Sequence, residues 1–297
     1  MLIGDEVVTF LAVVQSGSLQ QAAEIVHATQ STVSYRIQAL EQRIGHALLL
    51  RSRGSRTLSL TAEGERFLDI AERWRTLERE AQQLGSKSDR SLSIGAADAL
   101  ALHVLQPFFL KLATREPPVR LNIETARYWE LSKRVSSGYL RVAFSFVEPS
   151  HVDLAAQPIM KEQVVVARNT GAHRVRKAEI ALGALDPRLE VYQPWSIELD
   201  MWRAKHGLTQ QASQINRAHL LDPLLAREGS WVLVPAFMGP YLRSKLGCQI
   251  VSLSEPPPEI KVFKIMKKNA KELWDEDVLQ IDEALAFCLE QRQTIDR

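Results

Sequence analysis

Cysteine is nearly missing from this 297-residue chain, which has only Cys248 and Cys288. That excludes a disulfide framework and fits a reducing compartment. Long hydrophobic runs are missing as well. The apolar stretch Val7 to Val14 is too short to span a bilayer, and it follows Asp5 and Glu6 where a signal peptide would carry basic residues. The expectation is a cytoplasmic protein with no membrane partner. Nor is there an excess of one charge: 37 basic residues face 35 acidic ones. Bulk charge therefore indicates no partner class, and a nucleic-acid surface has to come from local clustering. The histidines at 27, 46, 103, 151, 173, 206 and 219 show no paired metal-ligand spacing, and neither cysteine has a CxxC partner. GxGxxG, P-loop and GxSxG motifs are absent, and no nucleophile–base constellation stands out. No metal, cofactor or catalytic residue is expected. At 45% hydrophobic and 24% charged residues, the rest is a globular balance long enough for two domains.

The first sixty residues are dense in helix punctuation. Val7, Phe10, Leu11 and Val14 recur at helical spacing until Gly17. Ser18 with Gln21 has capping-box spacing, and Ala22-Ala23 allow a second helix to approach closely. A polar turn at His27-Ala28-Thr29 precedes a third helix from about Gln30, with Val33, Ile37, Leu40 and Ile44 on its buried stripe and Gly45 at its end. Two short helices joined by a tight turn form a helix-turn-helix. The opposite face of the third helix carries Gln30, Ser31, Thr32, Ser34, Tyr35, Arg36 and Gln38. In this motif its N-terminal half enters the major groove, where Gln, Ser and Arg read base edges or phosphates. Between residues 31 and 60 lie Arg36, Arg43, Arg51, Arg53 and Arg56 against the single acid Glu41. The bland alternative is a helical hairpin whose polar face meets only water. Motif and arginine cluster together favour double-stranded DNA.

Leu58 and Leu60 with the Arg51-to-Arg56 stretch suggest a hairpin wing, and Thr61 caps a long helix. Phe67, Ile70, Trp74, Leu77, Ala81 and Leu84 alternate at spacings of three and four, a narrow heptad seam suited to pairing two chains. Packing onto the chain's own later domain is the alternative. Gly85 to Asp89 reads as a linker.

The stretch from Ser16 to Leu68 resembles the N-terminal signature of LysR-type transcriptional regulators. It shares Gly17-Ser18, Ala22-Ala23, Gln30, Val33-Ser34, Ile37, Leu40-Glu41, Ile44-Gly45, Leu48, Arg51, Leu60-Thr61 and Gly64. Val26-His27, Ser31, Leu49 and Tyr35 depart from the usual pattern, and Tyr35 bears on which bases are read. The resemblance implies that Gln30, Ser31, Ser34 and Tyr35 face the groove, with Arg51 and Arg53 near the wing and backbone. It also implies a homodimer through the long helix, commonly assembled into a homotetramer on an inverted-repeat operator.

From residue 91 strands alternate with helices: SLSIGA, a helix from Asp98 to Ala113, VRLNIETA, a helix from Trp129 to Ser137, LRVAFSF and EQVVVA. A second set follows: LEVYQP, a helix from Glu198 to His206, QASQIN, a helix from Leu220 to Arg227, and WVLVP. KVFKIMKK and a helix from Glu276 to Gln291 complete it. The alternation predicts an α/β architecture with parallel, doubly wound sheets and ligand sites at the carboxyl ends of strands. The two units resemble the family's effector-binding region, which is like a periplasmic binding protein, with links near Val165-Val166 and Phe263-Lys264. The implied organisation is a winged helix-turn-helix over 1–61, a coiled-coil helix and hinge over 62–88, and an effector region over 89–297. Within that region, subdomain I takes 89–165 and 266–297, and subdomain II takes 166–265.

By its place relative to the family pattern, Asp98 follows the first strand at a common effector position, and Arg127 falls where a Ser or Thr often touches effector. Trp195 and Tyr128 would line the walls, and Trp231, in an altered Gly-x-Gly stretch, would lie near the cleft. Arg141 replaces a usual Asp. Asp98 also suits an N-cap, and Arg127 a salt bridge, even with Asp98. The effector is either amino-acid-like, held by Asp98 and Arg127, or an aromatic acid held by Arg127 alone. A small-molecule enzyme, or a redox sensor using the two cysteines, fused to a helix-turn-helix is the alternative class.

Overall fold

A computed structural model describes residues 4–50, 58–83, 91–171, 178–209 and 213–295. The chain divides into two compact units, residues 1–89 with 137–139 and residues 90–136 with 140–297.

The first unit opens with α1 (Gly4–Ser16), α2 (Leu19–Ile25) and α3 (Gln30–Ile44). Val33, Ile37 and Leu40 of α3 are fully buried against Val7, Phe10 and Val13 of α1 and Ala22 of α2. A larger residue at Ala22 would push the helices apart. The expected capping box at Ser18 does not form, because its side chain makes no cap bond. Ser16 Oγ instead donates to the Ser18 carbonyl at 2.9 Å. The working cap lies one helix later, where Thr29 Oγ1 accepts from the Thr32 N–H at 3.2 Å. Gly45 then ends α3 at φ 81, a left-handed conformation that costs any side chain.

β1 (Leu49–Leu50) and β2 (Ser59–Leu60) pair antiparallel as the base of the wing. The wing's tip, with Arg51, Arg53 and Arg56, lies outside the described residues. α4 (Ala62–Gln83) follows. Thr61 caps it as expected, with Oγ1 accepting from the Gly64 N–H at 2.9 Å and donating to the Ala47 carbonyl at 2.7 Å. Gly64 allows that junction to close, since a Cβ there would lie 2.1 Å from the Leu48 carbonyl oxygen. Leu84 and the expected linker 85–89 lie outside the described residues.

The second unit runs β3 (Ser91–Ala96), α5 (Asp98–His103), α6 (Gln106–Ala113), β4 (Arg120–Thr125), α7 (Tyr128–Ser136), β5 (Val142–Ser145) and β6 (Leu154–Glu162). It continues with β7 (Val164–Arg168), β8 (Glu179–Ile180), β9 (Val191–Tyr192), α8 (Ile197–Lys205), β10 (Ser213–Gln214) and α9 (Leu221–Leu224). β11 (Trp231–Pro235), α10 (Gly239–Leu246), β12 (Gln249–Leu253), β13 (Ile260–Lys267) and α11 (Ala270–Ile295) complete it. The first lobe holds a five-stranded sheet in the order β4-β3-β5-β13-β6, and the second a four-stranded sheet in the order β11-β7-β12-β8.

Both sheets are mixed, which corrects the expectation of purely parallel ones. β3 pairs parallel with β4 and β5, but β13 runs antiparallel to β5 and β6, and β7 antiparallel to β11 and β12. The antiparallel pairs arise because the chain passes between lobes at Gln163 and returns between β12 and β13. β13 belongs wholly to the first lobe, paired with β6 from Ile260 opposite Glu162 to Lys267 opposite Leu154. The return therefore precedes Ile260 and is not near Phe263-Lys264, since apolar alternation identifies a strand without saying which sheet it joins.

Other differences have local causes. The helix expected over 98–113 breaks at Val104-Leu105, where Pro107 lies at the start of α6 and supplies no N–H to a continuous helix. Pro158 interrupts the strand pattern of β6 in the sequence, and β6 tolerates it as an edge strand. The register shifts opposite Pro158, between Val262 and Phe263. α10 and β12 were not anticipated, and α9 is shorter than the helix expected over 220–227. α11 begins earlier than expected and is interrupted at Trp274, whose φ and ψ are −146° and 49°.

Candidate functional sites on α3, on α4 and between the lobes

Gln30, Ser31 and Tyr35 stand exposed on α3, Tyr35 at 70%, while Thr32 and Ser34 are half-buried beside them. The hydroxyls of Ser31 and Thr32 each lie 2.8 Å from Thr29 Oγ1, so capping group and polar face form one cluster. Arg36 does not point with them. Its guanidinium turns back to α1, with Nη2 2.7 Å from Asp5 Oδ2 and Nη1 3.4 Å from Thr9 Oγ1. Arg43 pairs likewise with Glu6 at 3.2 Å. Two arginines counted toward a positive face are thus balanced by acids of α1, because α3 lies against the helix that begins with Asp5 and Glu6.

The expected seam of α4 splits into two rows. Phe67 is buried, its ring edge-to-face with Phe10 at 5.1 Å, and Trp74 packs partly buried on the same core. Ala71, outside the expected seam, is fully buried with them. Ile70 and Leu77 are 53% and 62% exposed, and Ala81 is exposed as well. A period near 3.5 cannot separate these rows, because residues three and four apart lie on adjacent faces.

Between the lobes lies a cavity of about 420 Å³. Asp98, Arg127, Tyr128 and Trp195 are among its lining residues. Trp231 does not. It is fully buried in the second lobe, and its indole N–H donates to the Asp186 carbonyl at 2.8 Å. A large aromatic on β11 fills that core and leaves none of itself for the cleft.

Asp98 opens α5 without capping it, since the N-cap is Ala97 and no side-chain cap bond forms. Its Oδ2 instead accepts from the Ala218 backbone N–H, 2.6 Å away on the other lobe, and lies 3.7 Å from His219 Nδ1. Arg127 does not pair with Asp98. It is exposed, and its guanidinium sits 4.9 Å over the Trp129 ring. Trp195 is 3% exposed, donates to the Leu233 carbonyl at 2.8 Å and meets Phe146 edge-to-face at 5.4 Å.

Gln193, Phe146, Asp200 and Arg217 also line the cavity and escaped the sequence reading. Gln193 is 6% exposed, and its Oε1 has no hydrogen-bond partner among the described residues. Such an atom costs about 1–3 kcal/mol. A signal existed: Gln193 directly follows β9 and precedes Trp195, at the carboxyl end of a strand where ligands bind in α/β sheets. Asp200 accepts from the Tyr192 hydroxyl at 2.9 Å. Burial pushes the Asp200 carboxyl up and the Tyr192 phenol to about 12. Below them Arg203 and Glu190 form a buried ion pair at 2.9 and 2.6 Å.

Arg141 lies outside the cavity lining, 3.3 Å from Asp277 and with its guanidinium 4.0 Å over the Trp274 ring, so the departure from Asp serves to hold α11. Cys248 and Cys288 are both buried, and burial raises both thiols. Cys288 donates to the Val104 carbonyl at 3.2 Å. Among the described residues no cluster of three metal-ligating side chains occurs, and no helix is long and apolar enough to cross a membrane.

A winged helix-turn-helix followed by a two-lobed α/β region with an interlobe cavity defines the class of helix-turn-helix regulators with a ligand-binding-type domain. Residues 5–65 match the model of the bacterial regulatory helix-turn-helix proteins of the lysR family, and residues 85–272 match that of the LysR substrate binding domain. The chain belongs to the LysR family. It is 32% identical over 163 residues to the HTH-type transcriptional regulator YofA of Bacillus velezensis, covering 54% of this chain and 56% of that one. It is also 32% identical over 151 residues to the HTH-type transcriptional regulator HdfR of Yersinia pestis, covering half of each. The chain thus spans about half the length of the curated relatives it matches. CbnR, a LysR family transcriptional regulator, shares the fold at TM-score 0.71 and 19% identity, with 96% of this chain and 99% of that one covered. Full-length OxyR from Pseudomonas aeruginosa does so at TM-score 0.65 and 16% identity, with 96% and 98% covered.

Proposed function

We propose that this chain is a sequence-specific DNA-binding transcription regulator, without enzymatic activity, whose operator binding responds to a small molecule held between the lobes. The observation that carries the reading is the exposed cluster Gln30, Ser31 and Tyr35 at the start of α3, within a segment that matches the family's helix-turn-helix. These groups suit direct readout in the major groove, with Arg51, Arg53 and Arg56 of the wing at the phosphates. Ile70, Leu77 and Ala81 would join two copies through α4, placing two recognition helices on an inverted repeat, and pairs of dimers would make tetramers. Domain limits near residues 61 and 88 follow from this reading, as does a cytoplasmic location beside the DNA. Buried thiols that burial holds protonated do not favour redox sensing.

Selection of bound sequences from random duplex DNA, followed by anisotropy titration, tests it. An enriched inverted repeat, bound at least ten-fold more weakly by Tyr35→Ala while random DNA is bound equally, is the expected result. Failure to enrich any sequence would overturn the reading.

A further inference from the structure

We infer that the interlobe cavity takes a small carboxylate that also carries a neutral hydrogen-bond donor, a hydroxyl or an amide N–H, and that Gln193 reads that donor. The inference deepens the ligand-responsive reading above and rests on it.

Three observations converge. First, two cations of the lining, Arg127 and Arg217, have no carboxylate partner among the described residues, whereas Asp98 of the same lining is held by the Ala218 N–H. The other lining acid, Asp200, is held by Tyr192 and is pushed toward its neutral form by burial. Among the described residues, the charged groups of the lining left to meet a ligand are therefore the two arginines. Second, two nine-residue helices, α7 and α8, begin in the cavity wall with Tyr128 and Ile197. Their first-turn amides and dipoles favour an anion there. Third, Gln193 presents a buried acceptor with no donor to meet it. An anion alone leaves that atom unpaired, and an anion bearing O–H or N–H pairs it. An ammonium would find no unengaged carboxylate in the lining, because Asp98 and Asp200 each already accept a hydrogen bond. Trp195 and Phe146 supply an apolar wall that fits a flat or short-chain skeleton.

Calorimetric titration of the full chain with matched acids tests the inference: propionate against lactate, benzoate against 4-hydroxybenzoate, and 3-phenylpropionate against 3-phenyllactate. In at least one pair the hydroxylated acid is expected to bind ten-fold or more tightly, about 1.4 kcal/mol. Gln193→Met, which keeps the side-chain length, should remove that preference, and Arg217→Ala should weaken both members. Where Gln193→Met does not fold, Gln193→Glu replaces it and should lose binding of every acid through charge repulsion. Equal binding within every pair, no binding of any acid, or a preference that survives Gln193→Met would overturn the inference. Selection of an inverted repeat by the same protein preparation would then show that the DNA-binding reading stands without it.

Discussion

Asp98, in the lining of the interlobe cavity, ties its lobe to Ala218 of the other, its carboxylate accepting at 2.6 Å from the Ala218 backbone N–H. Ala218 is 3% exposed, so water does not readily replace the bond. Asp98→Ala should cost about 1–3 kcal/mol in denaturant unfolding, and Asp98→Asn, which keeps an acceptor, should recover most of it. An unchanged midpoint in Asp98→Ala would show that the bond holds nothing together.

Asp5 holds Arg36 away from the exposed face of α3. The pair is partly solvent-exposed, so breaking it should cost under about 1 kcal/mol of stability. Asp5→Asn should release the guanidinium toward phosphate. Binding to random DNA should then strengthen, and the slope of log K against log salt should steepen by up to about 0.9. A slope identical to that of the parent would refute this competition.

The split of the α4 rows separates stability from assembly. Leu77→Lys, on the exposed row, should lower the mass in analytical ultracentrifugation with little change in Tm. Trp74→Lys should lower Tm, because the indole packs on the helical core of its own chain. If Leu77→Lys leaves the mass untouched, the exposed row is not where copies meet.

Arg203 and Glu190 are 8% and 1% exposed at their side chains. Removing one partner strands a buried charge, so Arg203→Ala should destabilise by about 3–5 kcal/mol. The double variant Arg203→Met, Glu190→Leu should recover much of the loss. A double variant as unstable as the single one would mean that shape, not charge, dominates.

His103 sits 4.8 Å from the Tyr241 ring and 6.4 Å from the Phe237 ring, and burial holds its pKa below the ordinary 6.5 despite the opposing pull of Asp98 and Asp222. The unfolded chain takes up the proton first as pH falls. Stability from this residue is therefore present above 6.5 and lost on acidification through 6.5 toward the lower folded value. Unfolding free energy from pH 7.5 to 5.5 should fall less steeply in His103→Gln than in the parent, and parallel profiles would exclude this contribution.

Much of the first unit was legible because its signals are local. Gly45 in the left-handed region, the Val33-Ile37-Leu40 stripe and the Thr61 cap each act within a few residues. What escaped is non-local. Whether Arg36 reaches outward or back to Asp5 depends on a residue 31 positions away, and the partner of Asp98 lies 120 positions away. Trp231 illustrates the same limit, since adjacency to a cleft in the chain does not decide which side of a strand's surroundings receives the indole. Gln193 was within reach from its place after a strand, but its unpaired oxygen appears only once the surrounding groups are assembled.

The placement of β13 between β5 and β6 also governs the order in which the protein can be made. A ribosome that has emitted the first 250 residues has released every part of the helix-turn-helix core but not the strand that completes the first lobe's sheet. Until residues 260–267 emerge, β6 has no neighbour in that sheet and β5 presents an open edge. The helix-turn-helix unit is thus free to fold early in synthesis, while the lobe that forms half of the cavity waits for the end of translation. Nonsense mutations between residues 140 and 260 should therefore yield a folded helix-turn-helix unit beside an incomplete first lobe, not a uniformly unfolded fragment.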